Sequence, residues 1–250
     1  MAIFLGDDKA KLYLGDTLIL GCEQYPLPVM NDVAILLYSE DYNSYDMSWN
    51  DTINGRRFEK GTARRWSYVS NGGVYSDSTI DISNNIFTTG FTIYVVGTFT
   101  PNKTGDWTAL ITIVSSTNGT DFNDENGAMF YKDNDFRING LFTPSAGVSG
   151  RPEYTVATPG VLGKACFAMR FNPENNFVEA IKDDGTVPGT FTVTIPSTGI
   201  YYRILLTTRM DSSIKGPNST LLAAAVAYSA HTDAQIAQNL QFLRSKYEIT

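Results

Sequence analysis

The sequence predicts an all-β protein: an antiparallel β-sandwich that ends in one short C-terminal helix and begins with a small N-terminal β-arm. Three observations predict it. Short runs rich in Val, Ile, Thr and aromatic residues recur along the chain, separated by Gly, Asn, Asp and Pro turn signals. One segment alone carries a helical pattern, so parallel crossover units, which need helices between strands, are excluded. The 250 residues, 42% hydrophobic and 18% charged, suffice for one large sandwich core plus a small extra element.

The chain opens on a doubled element. Phe4-Leu5-Gly6-Asp7 recurs as Tyr13-Leu14-Gly15-Asp16, each reading as strand then turn, and the two copies predict a hairpin. A lone hairpin is marginally stable in water, so this arm needs a surface to lie against, on its own domain or on a partner. Gln24-Tyr25-Pro26-Leu27-Pro28 reads as a stiff linker. The expected division is an arm over residues 1–30 and a sandwich over residues 31–250, with the boundary near Asn31.

Residues 33–38 form an apolar strand, followed by a polar loop over 39–44. Trp49-Asn50-Asp51-Thr52-Ile53-Asn54-Gly55 carries an Asn-Gly turn, and Trp49 is expected in the core. Residues 74–82 read as extended. Residues 91–99 make a strong strand ended by Pro101, and 109–114 the next. Residues 117–126 are a polar loop. Residues 128–131 and 136–138 read as a hairpin, and 143–159, rich in Pro, Gly and Ser, as a long loop. Residues 164–171 and 177–181 flank an Asn172-Pro173 turn. Residues 191–195 alternate apolar and polar, as on a half-exposed strand, and 201–207 add another. Residues 221–228 are apolar at every position, which predicts a strand covered on both faces. Thr232 with Gln235 forms a capping box, and Ile236, Leu240 and Leu243 recur at helical spacing.

The formal charge of -7 argues against a nucleic-acid partner. The N-terminus lacks the basic and apolar regions of a signal peptide, and no apolar run is long enough to insert in a membrane. The expectation is a protein made and used in the cytoplasm, or exported by other means such as cell lysis. Cys22 and Cys166 belong to no CxxC pair, and Cys166, in an apolar run, is expected as a buried thiol. Asn-x-Thr sequons at Asn50, Asn102, Asn118 and Asn218 are read as composition.

Catalytic chemistry is thinly supplied. His231 is the one histidine, which excludes HExxH and multi-histidine metal sites, and its place beside Thr232 suggests a capping or surface role. Glycoside hydrolysis needs two carboxylates across one cleft. Asp133 and Asp135 alternate but fall in a turn, while Glu174 and Glu179 flank a hairpin and read as solvated. The chain is therefore expected not to be an enzyme, and no cofactor is called for. Calcium is the one ion with candidate ligands, Asp121, Asn123 and Asp124, on a flexible oxygen-rich loop.

Three stretches resemble concanavalin A-like, laminin-G-like jelly-roll domains: Trp49-x-Asp51 with Asn54-Gly55, the opening Phe91-Thr92-Ile93 of the central strand, and the closing strand with residues 232–239. The doubled aromatic-Leu-Gly-Asp element is similar to N-terminal segments of bacteriophage tail and virion proteins. These resemblances imply a concanavalin A-like jelly roll and a non-enzymatic virion component with a lectin-like, carbohydrate-binding domain. The implied partners are other virion proteins, which Phe4, Leu5, Tyr13 and Leu14 would contact, and cell-surface glycans, with many copies in one assembly. Sugar binding uses an exposed ring stacked on a pyranose. Trp66, Trp107, Tyr42, Tyr45 and Tyr75 are the candidates. The alternatives are a purely structural capsid-decoration or tail-assembly protein, and a glycoside hydrolase.

Overall fold

A computed structural model describes residues 2–6, 9–14, 17–20, 26–43, 45, 48–55, 57–58, 77–78, 90–99, 108–115, 127–132, 138–143, 153–157, 163–175, 177–182, 189–192, 202–206 and 219–249. The arm is a three-stranded antiparallel meander, β1 (Ala2–Gly6), β2 (Lys9–Leu14) and β3 (Thr17–Leu20). Phe4 pairs with Lys11 and Ala2 with Tyr13, so the two copies of the repeat lie on neighbouring strands, as a hairpin requires. The third strand was not anticipated.

The body follows as β4 (Val33–Tyr38), β5 (Tyr42–Asn43), β6 (Ser48–Asn50), β7 (Arg57–Phe58), β8 (Asp77–Ser78), β9 (Phe91–Phe99), β10 (Thr108–Ser115), β11 (Gly127–Lys132) and β12 (Ile138–Thr143). It continues as β13 (Glu153–Ala157), β14 (Gly163–Asn172), β15 (Phe177–Lys182), β16 (Gly189–Thr192), β17 (Tyr202–Leu206), β18 (Ser219–Ala227) and the helix α1 (Asp233–Lys246). Two six-stranded sheets result, ordered β16-β15-β14-β9-β18-β4 and β13-β12-β11-β10-β17-β8, every pairing antiparallel. β10 approaches β9 and β18, and β13 approaches β15 and β16, so the sheets stack face to face. The antiparallel sandwich with one C-terminal helix is the fold the sequence predicts.

Three assignments need correction. The partner of β11 is β12 at Ile138–Thr143, not 136–138, because Leu141 and Phe142 extend the pairing past Gly140. Residues 153–157, read as loop, form β13 at the sheet edge, where pairing with β12 overrides the flanking Pro and Gly. Ser39–Asp41, read as loop, is a single 3-10 turn. Residues 193–195 of the alternating run lie outside the described residues.

The first sheet is buried on both faces. On one, Ile35, Leu37, Ile93, Val95, Phe167, Met169, Ala224 and Val226 share the register that faces the second sheet. On the other, Tyr94, Val96, Cys166, Ala168, Ala223, Ala225 and Ala227 meet Ile236, Leu240 and Leu243 of α1. Burying each of these three helical side chains contributes about 1.5–3 kcal/mol. The small side chains on the sheet let the helix settle close, with Cys166 Sγ 3.9 Å from the Leu240 carbonyl oxygen. Both expectations hold: the terminal strand is covered on both sides, and Cys166 is a buried thiol.

The helix is secured at each end. Thr232 Oγ1 accepts from Gln235 N (3.3 Å) and Gln235 Oε1 accepts from Thr232 N (2.8 Å), the predicted capping box. At the other end Ile249 N donates to the Arg244 carbonyl (2.9 Å) while Glu248 sits at φ 53, a left-handed helix stop that usually employs glycine. Lys246 pairs with Glu40 and lies 4.5 Å from the centre of the Tyr38 ring. Burial pushes the Glu40 carboxyl up, but Lys246 and the hydrogen bonds it accepts outweigh this and hold it below its usual value.

The Pro-rich stretch read as a linker also packs. Leu27 and Val29 are buried, Leu27 within the helix-side cluster. Asn239 clamps Val29 through both backbone groups, with Oδ1 accepting from Val29 N (2.9 Å) and Nδ2 donating to its carbonyl (3.1 Å).

Candidate functional site

A cleft of about 480 Å³ opens at the end of the first sheet, lined by the β14–β15 turn and the junction between β18 and α1. Its buried wall is a continuous hydrogen-bond network around His231, which is 1% exposed. Nε2 lies 2.8 Å from the Asn31 carbonyl oxygen, which can only accept, so Nε2 carries the proton. Nδ1 then accepts from the Tyr94 hydroxyl at 2.8 Å. The backbone N–H of His231 donates to Thr92 Oγ1 (2.9 Å), whose own proton goes to the Ser229 carbonyl (2.9 Å). Burial lowers the His231 pKa, consistent with a neutral ring. The expected surface or capping role is corrected: the ring is an internal strut, hidden because the chain before β4 folds over it.

Arg170 forms the charged wall. Its Nε (2.8 Å) and Nη2 both donate to Glu179 Oε2, and Nη1 donates to the His231 carbonyl (2.8 Å) and pairs with Asp233 Oδ1 (2.7 Å). Burial pulls the guanidinium down, but Glu179 and Asp233 more than offset it and keep it above its usual value. Glu179, expected to be solvated, is instead locked to Arg170, because antiparallel pairing sets residue 170 opposite residue 179. Glu174 is exposed, as expected.

The turn beside this wall is tightly built. Asn172 Oδ1 accepts from Glu174 N (2.9 Å), an Asx turn that leaves its amide N–H groups as donors. Gly90, at φ 81, packs beneath it. A Cβ there would sit 2.7 Å from the Phe171 carbonyl oxygen and 3.0 Å from Pro173 Cδ, so only glycine fits.

The aromatic candidates lie elsewhere. Tyr45 is 95% exposed, and Tyr42 is half-buried with its ring 6.1 Å from that of Trp49. Both follow the C-terminal end of β4, whereas the cleft adjoins its N-terminal end, so a strand length of about 17 Å separates them. Trp49 is in the core, fully buried, with Nε1 donating to the Tyr38 carbonyl (2.6 Å). Asp51 of the same motif accepts from Leu36 N, Ile53 N and Asn54 N, and Asn54 Nδ2 donates to the Ala34 carbonyl, so this stretch is a structural clasp on β4. Trp66, Trp107, Tyr75, Asp121, Asn123 and Asp124 lie outside the described residues. Among the described residues no group of His, Cys, Asp and Glu is arranged to hold a metal ion, and no helix is long and apolar enough to cross a membrane. Phe4 and Leu5 lie on β1, and Tyr13 and Leu14 on β2. Nothing in the sequence singles out Arg170 or Asn172 as site residues. Asn172-Pro173 was legible as a turn but not as the wall of a cleft.

Two stacked antiparallel sheets with a helix across one outer face place the chain among β-sandwich folds. Solved structures share that architecture. The Ruminococcus gnavus IT-sialidase CBM40 matches at TM-score 0.50 and 15% identity, over 66% of this chain and 91% of that chain. The same module bound to alpha2,6 sialyllactose matches at TM-score 0.50 and 16% identity, over 67% and 93%. A Trypanosoma rangeli sialidase matches at TM-score 0.61 and 12% identity, over 88% of this chain but 33% of the enzyme. At these identities the likeness is one of fold. The sequence matches no family model and no curated protein.

Proposed function

We propose that the chain is a non-enzymatic, carbohydrate-binding component of a bacteriophage virion, docked through its N-terminal meander and presenting the sandwich to cell-surface glycans. The observation that carries the sugar-binding part is the fold likeness to a carbohydrate-binding module over nearly its whole length, together with a solvent-open cleft walled by rigid polar groups. The neighbouring module was solved with sialyllactose, so this sandwich architecture can hold a glycan. The virion part is supported by the doubled aromatic-Leu-Gly-Asp element, whose copies lie on the first two strands of an extra three-stranded sheet ahead of the body. Many copies on one particle would raise a weak single-site affinity.

A non-catalytic role agrees with the cleft carboxylates. A glycosidase acid is kept protonated by apolar surroundings. Glu174 is exposed, and the side chain of Asp233 is 88% exposed and paired with Arg170. The second reading, capsid decoration or tail assembly without a sugar, rests on the same N-terminal sheet.

Screening the full chain on a glycan array tests sugar binding. Bound glycans are expected, recovered intact after long incubation. Released sugar would overturn the non-enzymatic assignment, and an empty array would favour the structural role. Removing residues 2–22 tests docking without stripping Leu27 and Val29 from the core. If the truncated chain still assembles onto particles, the meander is not the anchor.

A further inference from the structure

We infer that the cleft between Asn172 and Asp233 is a subsite for an uncharged pyranose with neighbouring hydroxyls, and that it turns acidic sugars away. This rests on the carbohydrate-binding reading above and names the ligand class and the place where it acts. Its volume of about 480 Å³ is that of a small-molecule site.

The charge of the walls selects against anions. The lining holds one guanidinium, Arg170, and two carboxylates, Glu174 and Asp233, while Glu179 binds that guanidinium from outside the lining. Both Nε and Nη2 of Arg170 are committed to Glu179, and Nη1 is shared by the His231 carbonyl and Asp233. Among the described residues that line the cleft, no unengaged cation therefore awaits a ligand carboxylate, and an incoming one would meet like charge. The sialyllactose-bound neighbour took an acidic glycan, so the two proteins would differ in ligand class on one fold.

The groups left over suit a polyol. The carboxylates of Glu174 and Asp233 accept from hydroxyls, and a pair of adjacent sugar hydroxyls can share one carboxylate. Asn172 keeps its amide N–H groups after its oxygen is used in the turn. Thr232 accepts from Gln235 N and retains a hydroxyl proton to donate. Pro173 and Ala230 supply an apolar patch for the face of the ring. The walls are already set by the His231 network and the tight packing at Gly90, so little ordering accompanies binding.

The test measures binding of the full chain to neutral glycans ending in glucose, galactose or mannose and to their sialylated counterparts, in parallel with four variants. At least one neutral glycan is expected to bind, with its sialylated form weaker by about tenfold or more. Glu174→Gln with Asp233→Asn, and separately Asn172→Ala, are expected to weaken the neutral ligand by about tenfold or more while the thermal midpoint stays near that of the native chain. Preference for the sialylated glycan would overturn the proposal. Neutral binding that survives these variants but is lost in Trp66→Ala or Trp107→Ala would overturn the cleft while leaving carbohydrate binding intact. Absence of any glycan binding would overturn both.

Discussion

Mild acid should loosen this fold through a single residue. His231 is held neutral: its Nε2 proton is given to Asn31 and its Nδ1 is occupied by the Tyr94 hydroxyl proton. The groups facing the ring are Tyr94 from β9 and Asn31 and Asp32 ahead of β4, while Arg170 from β14, itself paired with Asp233 of α1, holds the His231 carbonyl. In the unfolded chain the ring takes up a proton near its ordinary value of 6.5, whereas in the folded chain burial lowers that value. Below 6.5 the unfolded state thus binds more protons than the folded state, and stability falls as pH falls. The loss is at most about 1.4 kcal/mol per pH unit and ends once the lowered value of the folded ring is passed.

The assay is urea denaturation followed by tryptophan fluorescence, from about pH 7.5 down to about pH 5, where carboxylates have scarcely begun to titrate. His231→Gln keeps a donor for the Asn31 carbonyl but cannot titrate. It should cost about 1–2 kcal/mol at neutral pH and flatten the acid slope. Because the chain contains one histidine, an equal slope in the variant and the native chain would refute the reasoning.

Other expectations are read by the same unfolding measurement. Leu240→Ala, which empties the centre of the helix–sheet layer, should cost about 3 kcal/mol, and a cost under about 1 kcal/mol would mean that the helix is not seated as described. Asp51→Ala strands the N–H groups of Leu36, Ile53 and Asn54 and should cost about 3 kcal/mol. Glu248→Gly relieves the left-handed backbone at φ 53 and should add about 0.5 kcal/mol; a loss of stability would show that the helix ends differently.

The parts of the chain that could be read without coordinates are those whose cause is local. The two-sided burial of β18 is written as an uninterrupted apolar run, and the capping box of α1 as Thr232 and Gln235 three residues apart. Where local signals conflict with pairing, pairing prevails: β13 forms in a stretch of Pro and Gly because β12 offers it a partner edge. Tyr42 and Tyr45 read alike as candidate exposed rings, and nothing nearby in sequence told that Tyr45 would stand exposed while Tyr42 leans on Trp49.

By itself, then, the sequence determined the class of fold, an antiparallel sandwich sealed by one helix, because hydrophobic period and turn chemistry act over a few residues. Only the tertiary structure decided the cleft and the state of His231. Arg170 meets the His231 carbonyl across 61 residues of chain, and the ring reaches Asn31 across 200. Such meetings follow from which strands become neighbours and in what register, and no periodicity along the chain records that choice.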